Sequence, residues 1–269
     1  MYCYISKNTN FKMNRFCRIL LLIFVLANCQ ATCVLAQKSG KPALKKRIVK
    51  STIQQSTVAN AAPWTQLNTK ERLVEITTPY GTMVAKLYDS TPLHRDNFVK
   101  LVEQKVYDSL LFHRVINQFM IQGGDPSSKN APDGVALGSG SLKGDRIPAE
   151  FKSFIFHKKG ALAAARDNNP EKASSNCQFY IVQGQTVALP DLEKVYNERV
   201  KPSNPSFTYS KSEKEIYSRI GGTPFLDQSY TVFGEIISGL EVIDKIATVA
   251  KDASDRPIEN IRMKIRLLN

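Results

Sequence analysis

From residue 72 onward, apolar and polar positions follow the periods of short strands. The segments 72–76 and 83–88 alternate apolar and polar residues and flank the turn-forming residues 78–81, which predicts a β-hairpin. The terminal segment 261–267 alternates aliphatic and basic residues without a break, which predicts a strand with one buried and one solvated face. Several further short strands, separated by Gly, Pro and Asn clusters, lie between these regions. The pattern is that of a mainly β domain.

Two segments with helical spacing frame the strands. Thr91 and Pro92 predict the start of a helix with Thr91 as its N-cap, and Phe98, Leu101 and Val102 follow on one face. A second stripe of the same period runs through residues 240–247. Many short strands with two framing helices predict a closed barrel whose ends the helices cover.

One charged segment interrupts this pattern. Residues 187–220 have helical spacing at Leu192, Val195 and Tyr196, and again at Ile216 and Ile220. We interpret the segment as a helical insertion between two strands. It is either a surface excursion or one wall of a groove, and the sequence favours neither.

The formal charge of +13 is concentrated at the N-terminus. Residues 1–62 carry ten Lys or Arg and no Asp or Glu, whereas the remaining 207 residues carry 27 basic and 24 acidic side chains. A nucleic-acid-binding domain would have its basic residues clustered on the folded part. The charge pattern therefore argues against nucleic acid as a partner.

The N-terminal residues have the pattern of an export signal. The apolar run 19–27 follows three basic residues, Lys12, Arg15 and Arg18. Residues 34–36 (Val-Leu-Ala) have small or aliphatic side chains at the positions that a signal peptidase recognises. The run is far shorter than the ~20 residues that cross a bilayer. We therefore predict a signal peptide over 1–36, a basic flexible linker over 37–69 and one domain over 70–269. Met13 is an alternative start to Met1.

Four of the five cysteines lie in this predicted leader. A chain cleaved after Ala36 keeps only Cys177, so it has no intramolecular disulfide in an oxidising compartment. Cys29 closely follows the apolar run and half resembles the acylated cysteine of a lipoprotein, although Asn28 departs from the usual small residue before it. The sequence thus predicts a periplasmic or envelope-associated protein, with a lipid anchor at Cys29 as the alternative to simple cleavage.

Common catalytic signatures are missing from the sequence. The glycine-rich segment 138–144 has a lysine followed by Gly, unlike a phosphate-binding loop. His94, His113 and His157 do not have the spacing of metal ligands. We therefore predict no metal and no cofactor. We interpret His113 as a hydrogen-bonded packing residue on the strand face opposite Arg114.

Arg114 is the one cation in the apolar stretch 112–126, which ends in Gly-Gly-Asp-Pro. It is either a structural ion-pair residue or a functional guanidinium. Asn117 and Gln118 predict a turn that would bring Phe119 to the same cleft as Arg114. Gln118 itself is not expected to line that cleft.

Five blocks, in order, resemble the cyclophilins, the barrel-type peptidyl-prolyl isomerases. They are 112–125 (FHRVINQFMIQGGD), 147–151 (IPAEF), 160–166 (GALAAAR), 178–182 (QFYIV) and 225–234 (FLDQSYTVFG). The resemblance covers residues 70–269. It implies a closed eight-stranded antiparallel barrel capped by two helices, here with the insertion at 187–220.

The resemblance also implies the roles of individual residues. Arg114 would be the catalytic guanidinium, assisted by Phe119 and Gln122. The substrate would be bound by eight further residues: Met120, Ala165, Arg166, Gln178, Tyr180, Phe225, Leu226 and Tyr230. Phe225 stands where many eukaryotic members carry a tryptophan.

Elementary chemistry agrees with a role for a guanidinium. A prolyl amide resists rotation because its nitrogen donates electron density into the carbonyl, and at the twisted geometry that nitrogen becomes a hydrogen-bond acceptor. A donor aimed at the nitrogen would bind the transition state better than the planar ground state. The expected function is isomerisation of X–Pro bonds in proline-containing exported polypeptides. The protein is expected to be a monomer. The alternative is a catalytically idle module that binds proline-containing segments of a partner.

Overall fold

The structure, a computed structural model, describes residues 72–268. The predicted signal peptide, the candidate anchor Cys29 and the linker at 37–69 lie outside the described residues. The strands are β1 (Arg72–Thr78), β2 (Gly81–Leu87), β3 (Phe112–Ile116), β4 (Met120–Gly123), β5 (Ala161–Ala164), β6 (Phe179–Val182), β7 (Val232–Ser238) and β8 (Lys264–Leu268). The predicted hairpin is confirmed as β1 and β2, which pair through the turn after Thr78.

The eight strands form one antiparallel sheet in the order β3-β4-β6-β5-β7-β2-β1-β8. The sheet is a strongly curled half-barrel that is open, so the prediction of a closed barrel is wrong. The edge strands β3 and β8 do not pair with each other within the described residues; an isolated bridge joins Leu111 to Arg262 just before each of them. Backbone hydrogen bonds between residues 109–112 and 261–263 accompany this bridge, but they do not extend into a ladder between β3 and β8.

Five helices accompany the sheet in the described residues. They are α1 (Pro92–Glu103), α2 (Leu189–Val195), α3 (Lys201–Ser203), α4 (Lys211–Arg219) and α5 (Leu240–Ala247), with a π-helical turn at Tyr196–Val200 and 3-10 turns at Pro126–Ser128 and Pro224–Leu226. The two framing helices are α1 and α5, as predicted. The segment 187–220 is helical, also as predicted, so the protein has several helices rather than two.

The terminal strand begins three residues later than its sequence pattern predicts. Ile261, Met263 and Ile265 are all buried, so the alternation itself is confirmed. Pairing with β1 ends at Lys264, opposite Thr77, near the end of that strand. Before that point, the chain bonds instead to the segment leading into β3, which is why 261–263 is not part of the ladder.

The central strands are buried on both faces. One face of β4, β5 and β6 contributes residues such as Ile121, Leu162 and Ile181 to the main core, together with the apolar stripes of α1 and α5. The other face carries Met120 and Tyr180 in a second apolar cluster. Alternating side chains therefore serve two layers, which explains the almost continuous apolar sequence of these short strands.

The insertion has a small core of its own. Leu192, Val200, Phe207, Tyr209 and Tyr217 are buried together. Such a cluster indicates an ordered subdomain rather than a loose surface excursion. Among the described residues, no helix has the length and apolar character needed to cross a bilayer.

A distant carboxylate caps the N-terminus of α1. The helix begins at Pro92 with Thr91 at the N-cap position, both as predicted, but the Thr91 side chain makes no capping hydrogen bond among the described residues. The carboxylate of Glu150 instead accepts hydrogen bonds from the backbone N–H groups of Leu93 (3.2 Å) and His94 (3.0 Å). The ring Nδ1 of His94 also lies 2.7 Å from Glu150. This contact attaches the first framing helix to the loop before β5.

We expect Glu150→Ala to lower the free energy of unfolding by about 2 kcal/mol, because it removes a cap and leaves the His94 ring without its carboxylate. Urea denaturation measures the change. Glu103→Ala removes an exposed carboxylate from the last turn of the same helix and should change the free energy of unfolding by less than about 0.5 kcal/mol. Equal losses in the two variants would contradict the capping role.

Candidate active site

A row of side chains crosses four adjacent strands on the second face of the sheet. Arg114 of β3 is directly opposite Gln122 of β4, Gln122 is opposite Tyr180 of β6, and Tyr180 is opposite Ala163 of β5. Adjacent strands lie ~4.8 Å apart, so paired residues on one face are neighbours. The register alone brings a cation, an amide and an aromatic ring, taken from three sequence segments, into one line.

The turn between β3 and β4 places Phe119 at this row. Gln118 has φ of +63°, a left-handed conformation that reverses the chain as predicted. The Gln118 backbone N–H donates to the side-chain amide oxygen of Gln183, and the carbonyl of Phe119 accepts from the N–H groups of Gln183 and Gly184, both at 3.0 Å. The end of β6 thus holds the turn, and Gln118 takes no part in the site.

A cavity of about 160 Å³ opens on this face. Its lining brings together nine of the eleven residues that the resemblance implied: Arg114, Phe119, Met120, Gln122, Ala165, Arg166, Tyr180, Leu226 and Tyr230. The floor is apolar, because Met120 and Tyr180 are buried, whereas Arg114 stands at the edge with 44% of its side chain exposed. The arrangement is an apolar socket with the accessible guanidinium of Arg114 at its edge.

Phe225 and Gln178 lie outside the lining of this cavity. The ring of Phe225 packs against Phe119 with centroids 5.5 Å apart and is 45% exposed, so it extends the rim. Gln178 lines an adjoining cavity of about 580 Å³, which shares Gln122, Ala165 and Arg166 with the smaller one. Both residues therefore remain close to the site, at its edges.

Gln178 holds a loop against the site. Its amide N–H₂ donates to the carbonyls of Gly138 (2.9 Å) and Gly140 (2.8 Å), and its amide oxygen accepts from Gln122 at 3.1 Å. Because its amide is used in this way, Gln178 orients Gln122. The glycine-rich segment that lacked a phosphate-binding signature thus forms the wall of the larger cavity.

Asp125 fixes the other side of the same loop. Its buried carboxylate accepts backbone hydrogen bonds from Ser127, Gly138 and Gly140. Burial alone would raise the pKa of Asp125, but these backbone donors together hold it below its ordinary value. Gly140 must be glycine, because a Cβ there would lie 2.0 Å from an Asp125 oxygen. The Gly-Gly-Asp-Pro end of the stretch is therefore structural.

Arg114 has no close ion pair in the part of the chain that the structure describes. Its Nε lies 3.9 Å from Asp255, a long contact between partly exposed groups, and Lys251 takes the other oxygen of that carboxylate at 2.6 Å. Such an exposed contact contributes little to stability. The reading of Arg114 as a structural ion-pair residue is therefore disfavoured, and its guanidinium is available to a ligand.

Arg166 and Tyr230 close the side of the socket. The guanidinium of Arg166 lies 4.5 Å from the centroid of the Tyr230 ring and donates from Nε to the Ser229 carbonyl at 2.9 Å. The backbone N–H and C=O of Ala165 are both used inside the fold, whereas the backbone groups of Arg166 make no hydrogen bond within residues 72–268. An extended ligand chain can pair with Arg166, not with the N–H of Ala165.

The sequence predicted no function for two residues beside the socket, His157 and Asp227. His157 lies behind Tyr180, with its Nε2 2.9 Å from the Tyr180 hydroxyl, and Asp227 lies behind His157 at 2.7 Å. The two residues are 70 positions apart in the sequence, and no local sequence pattern links them. A signal was present only in the motif Phe225-Leu226-Asp227, where an acid directly follows two site residues.

His113 is buried on the opposite strand face, as predicted, but the predicted hydrogen bond does not appear with ordinary geometry in the described part of the chain. Neither ring nitrogen has a hydrogen-bond partner among the described residues. Burial lowers the pKa of His113 to about 4, although the nearby Asp125 carboxylate opposes the shift. No cluster of His, Cys, Asp or Glu that could hold a metal occurs between residues 72 and 268.

Comparisons with known proteins agree on one family. The model for cyclophilin-type peptidyl-prolyl cis-trans isomerases (CLD) matches residues 73–266. A Staphylococcus haemolyticus protein named as a peptidyl-prolyl cis-trans isomerase is 34% identical over 197 residues, which cover 73% of this chain and 90% of that protein. A Staphylococcus aureus protein with the same name is 33% identical over 205 residues, covering 74% and 95%.

Solved structures show the same fold. A cyclophilin-type isomerase of Cryptosporidium parvum superimposes with a TM-score of 0.52 at 23% identity, over 74% of this chain and 98% of that one. A crystal structure of the same protein in the presence of the dipeptide Ala-Pro gives a TM-score of 0.51 at 23% identity, over 73% and 99%.

The His113 ring should titrate near pH 4 in the folded protein, which proton NMR of the imidazole can measure. Its pKa lies below the ordinary 6.5, so the unfolded chain binds the proton first as pH falls. The stabilising contribution is therefore complete above about pH 6.5 and is lost between 6.5 and about 4, by roughly 3 kcal/mol in total. The His113→Phe variant should lack this part of the acid sensitivity, and a ring that titrates near 6.5 would contradict the assignment.

Proposed function

Since the chain belongs to the cyclophilin family and is a peptidyl-prolyl cis-trans isomerase, we propose that Arg114 and the socket beside it perform the reaction. The single observation that carries this proposal is the position of an exposed guanidinium at the edge of an apolar cavity of about 160 Å³, with no close ion pair to any residue between 72 and 268. The socket takes the proline ring, and Arg114 faces the amide that joins the ring to the preceding residue.

The guanidinium acts on the twisted amide. In the planar amide the prolyl nitrogen donates its lone pair to the carbonyl and accepts no hydrogen bond. When the bond rotates, the lone pair returns to nitrogen and can accept a hydrogen bond from Arg114. This contact exists in the transition state and not in the ground state, so it accelerates the rotation.

Magnitudes show that Arg114 cannot act alone. Shortening an exchange of ~100 s to ~1 ms requires a rate increase of about 10⁵, or roughly 7 kcal/mol. One charge-assisted hydrogen bond contributes ~1.5–3 kcal/mol. The remainder comes from exclusion of water from the rotating amide by apolar lining such as Phe119 and Leu226, which disfavours the polar resonance form of the planar amide. The buried floor of Met120 and Tyr180 holds the proline ring.

The groups around the socket are suited to hold the substrate chain. The backbone groups of Arg166, which make no hydrogen bond to the described part of the chain, can pair with an extended peptide. Gln122, held by Gln178, presents its amide next to Arg114. Phe225 and Phe119 extend the apolar rim over which the chain would pass. The substrate class is proline-containing polypeptide in extended conformation.

We further propose that this isomerase is exported and acts as a monomer on proteins of the periplasm or cell envelope. The basic and apolar pattern of residues 12–27 and the confinement of four cysteines to the first 33 residues support this location. A lipid anchor at Cys29 is the alternative mode of retention. In either mode, residues 37–69 would connect the domain to the cleavage or anchoring site.

Arg114→Ala should reduce kcat by about 10- to 150-fold with little change in KM, because it removes one charge-assisted hydrogen bond that forms only in the twisted state. A proline-isomerisation assay on a tetrapeptide measures both constants. Arg114→Lys should be intermediate, since an ammonium keeps the charge but not the guanidinium geometry.

Arg219→Ala is the matched control, because Arg219 is an exposed arginine whose partner, Glu215, lies on the same helix. It should leave kcat and KM unchanged. If the wild type is no faster than the uncatalysed reaction, or if Arg114→Ala is as active as the wild type, the proposed mechanism is wrong. The first outcome would favour an idle module that only binds proline-containing segments.

The mature protein should begin at Gln37, as cleavage after Ala36 requires. Intact mass spectrometry of the protein recovered from the envelope fraction of an expressing bacterium measures its N-terminus. An acylated Cys29 at the N-terminus would overturn simple cleavage in favour of the lipid anchor. Retention of residues 1–36 in the recovered protein would overturn both.

A further inference from the structure

The carboxylate of Asp227 is buried and receives hydrogen bonds from two parts of the chain. Only 1% of the residue is exposed. One oxygen accepts from the backbone N–H of His157 (2.8 Å) and lies 2.7 Å from the ring Nδ1 of the same histidine. The other oxygen accepts from the hydroxyls of Tyr209 (2.6 Å) and Tyr217 (2.5 Å). A buried carboxylate with this many donors is held in one orientation.

His157 connects this carboxylate to the socket. The carboxylate accepts from Nδ1–H, and the other ring nitrogen, Nε2, lies 2.9 Å from the Tyr180 hydroxyl, within hydrogen-bond distance. The rings of His157 and Tyr180 are also nearly parallel, with centroids 6.0 Å apart. Tyr180 forms part of the socket floor, so its orientation is set from behind by His157.

Both tyrosines that bind Asp227 come from the insertion. Tyr217 lies in α4 and Tyr209 precedes that helix, and both rings belong to the core of the insertion. Burial, reinforced by the Asp227 charge, raises the pKa of Tyr217 and of Tyr209 well above the ordinary value. Both hydroxyls therefore remain donors. We refer to Tyr209, Tyr217, Asp227, His157 and Tyr180 as the Asp227 network.

A second contact joins the insertion to the same wall of the socket. The hydroxyl of Ser203 donates to the Gln228 carbonyl (3.0 Å) and lies 2.8 Å from the Ser229 hydroxyl. The Asn204 amide donates to the side-chain oxygen of Gln228 at 2.9 Å. Residues 227–229 lie between Leu226 and Tyr230, which both line the cavity. The insertion is thus hydrogen-bonded to the segment 227–229 at two places, at Asp227 and at Gln228 and Ser229.

We propose that the insertion at 187–220 is a positioning element for the proline socket, and that it acts through the Asp227 network on Tyr180. This inference rests on the proposed function, and of the residues in the network only Tyr180 lines the socket itself. The insertion is then neither a plain surface excursion nor a groove wall; it supports the socket from behind.

The expected kinetic signature differs from that of Arg114. The proline ring keeps its shape during isomerisation, so the socket floor contacts it equally in the planar and twisted states. Loss of such uniform binding raises KM and leaves kcat unchanged. Removing the donors to Asp227 should therefore raise KM, whereas removing Arg114 lowers kcat.

The test uses Tyr209→Phe, Tyr217→Phe and the double variant, which keep the buried rings and remove only the hydroxyls. The double variant should raise KM about five- to tenfold with kcat within about twofold of the wild type, and each single variant should have a smaller effect. Tyr196→Phe is the matched control. It removes a hydroxyl from the same insertion, where it donates to the Phe207 carbonyl at 2.9 Å, and should leave KM unchanged.

A double-mutant cycle separates positioning from general loosening of the fold. Tyr180→Phe removes the other end of the network, so Tyr217→Phe should raise KM less in the Tyr180→Phe background than in the wild type. Independent effects that multiply would overturn the proposal, as would equal effects of Tyr196→Phe and Tyr217→Phe. If the double variant fails to fold in circular dichroism, the single variants, each of which retains one donor, decide the question.

Peptide affinity distinguishes failure of this inference from failure of the proposed function. The dissociation constant of an Ala-Pro-containing tetrapeptide can be measured by NMR titration without any turnover. A wild type that binds but does not accelerate isomerisation would contradict the proposed function, while the cycle on the dissociation constant would still test the network. Multiplicative effects on the dissociation constant in an active wild type would contradict the network alone.

Discussion

The register of four adjacent strands is the constraint on which the site depends. Arg114, Gln122, Tyr180 and Ala163 occupy one row only because β3, β4, β6 and β5 pair as they do. A slip of one residue in β3 would turn Arg114 into the main core and present the apolar Val115 to the socket. The turn at Gln118 and its bonds to the end of β6 prevent that slip. The same ladder that stabilises the sheet therefore sets the chemistry.

Burial on both faces lets a few short strands serve stability and function at once. Ile121, Leu162 and Ile181 fill the main core, while their neighbours Met120 and Tyr180 form the socket floor. The polar residues of the site are placed by bonds made elsewhere: Gln178 orients Gln122 and holds the loop that Asp125 also fixes. Arg114 is the exception, since it remains half exposed and without a close ion pair in the described residues. That freedom is what a donor to a transient acceptor requires.

The insertion illustrates how a segment far from the reacting atoms can matter to them. Its buried tyrosines satisfy a carboxylate that would otherwise be left with unpaired lone pairs in an apolar environment, which is costly. The hydrogen bonds that offset this cost also hold His157 and Tyr180. The same contacts therefore supply hydrogen bonds to the buried Asp227 carboxylate and orient the residues of the socket.

The sequence by itself determined the local elements and most of the site's composition. Alternation and helical spacing predicted the first hairpin, both framing helices and the helical insertion, and the ordered motifs pointed to Arg114 and its apolar partners. Those signals are short-range, because side-chain periods repeat within a few residues. Contacts between distant segments carry no such period. The open rather than closed sheet, the Glu150 carboxylate that caps the first helix, the apolar burial of the His113 ring and the Asp227 network were therefore decided only by tertiary structure. The Glu150 cap and the Asp227 network depend on which buried polar groups meet once the chain is compact, and solvent exclusion, not local propensity, selects those pairs.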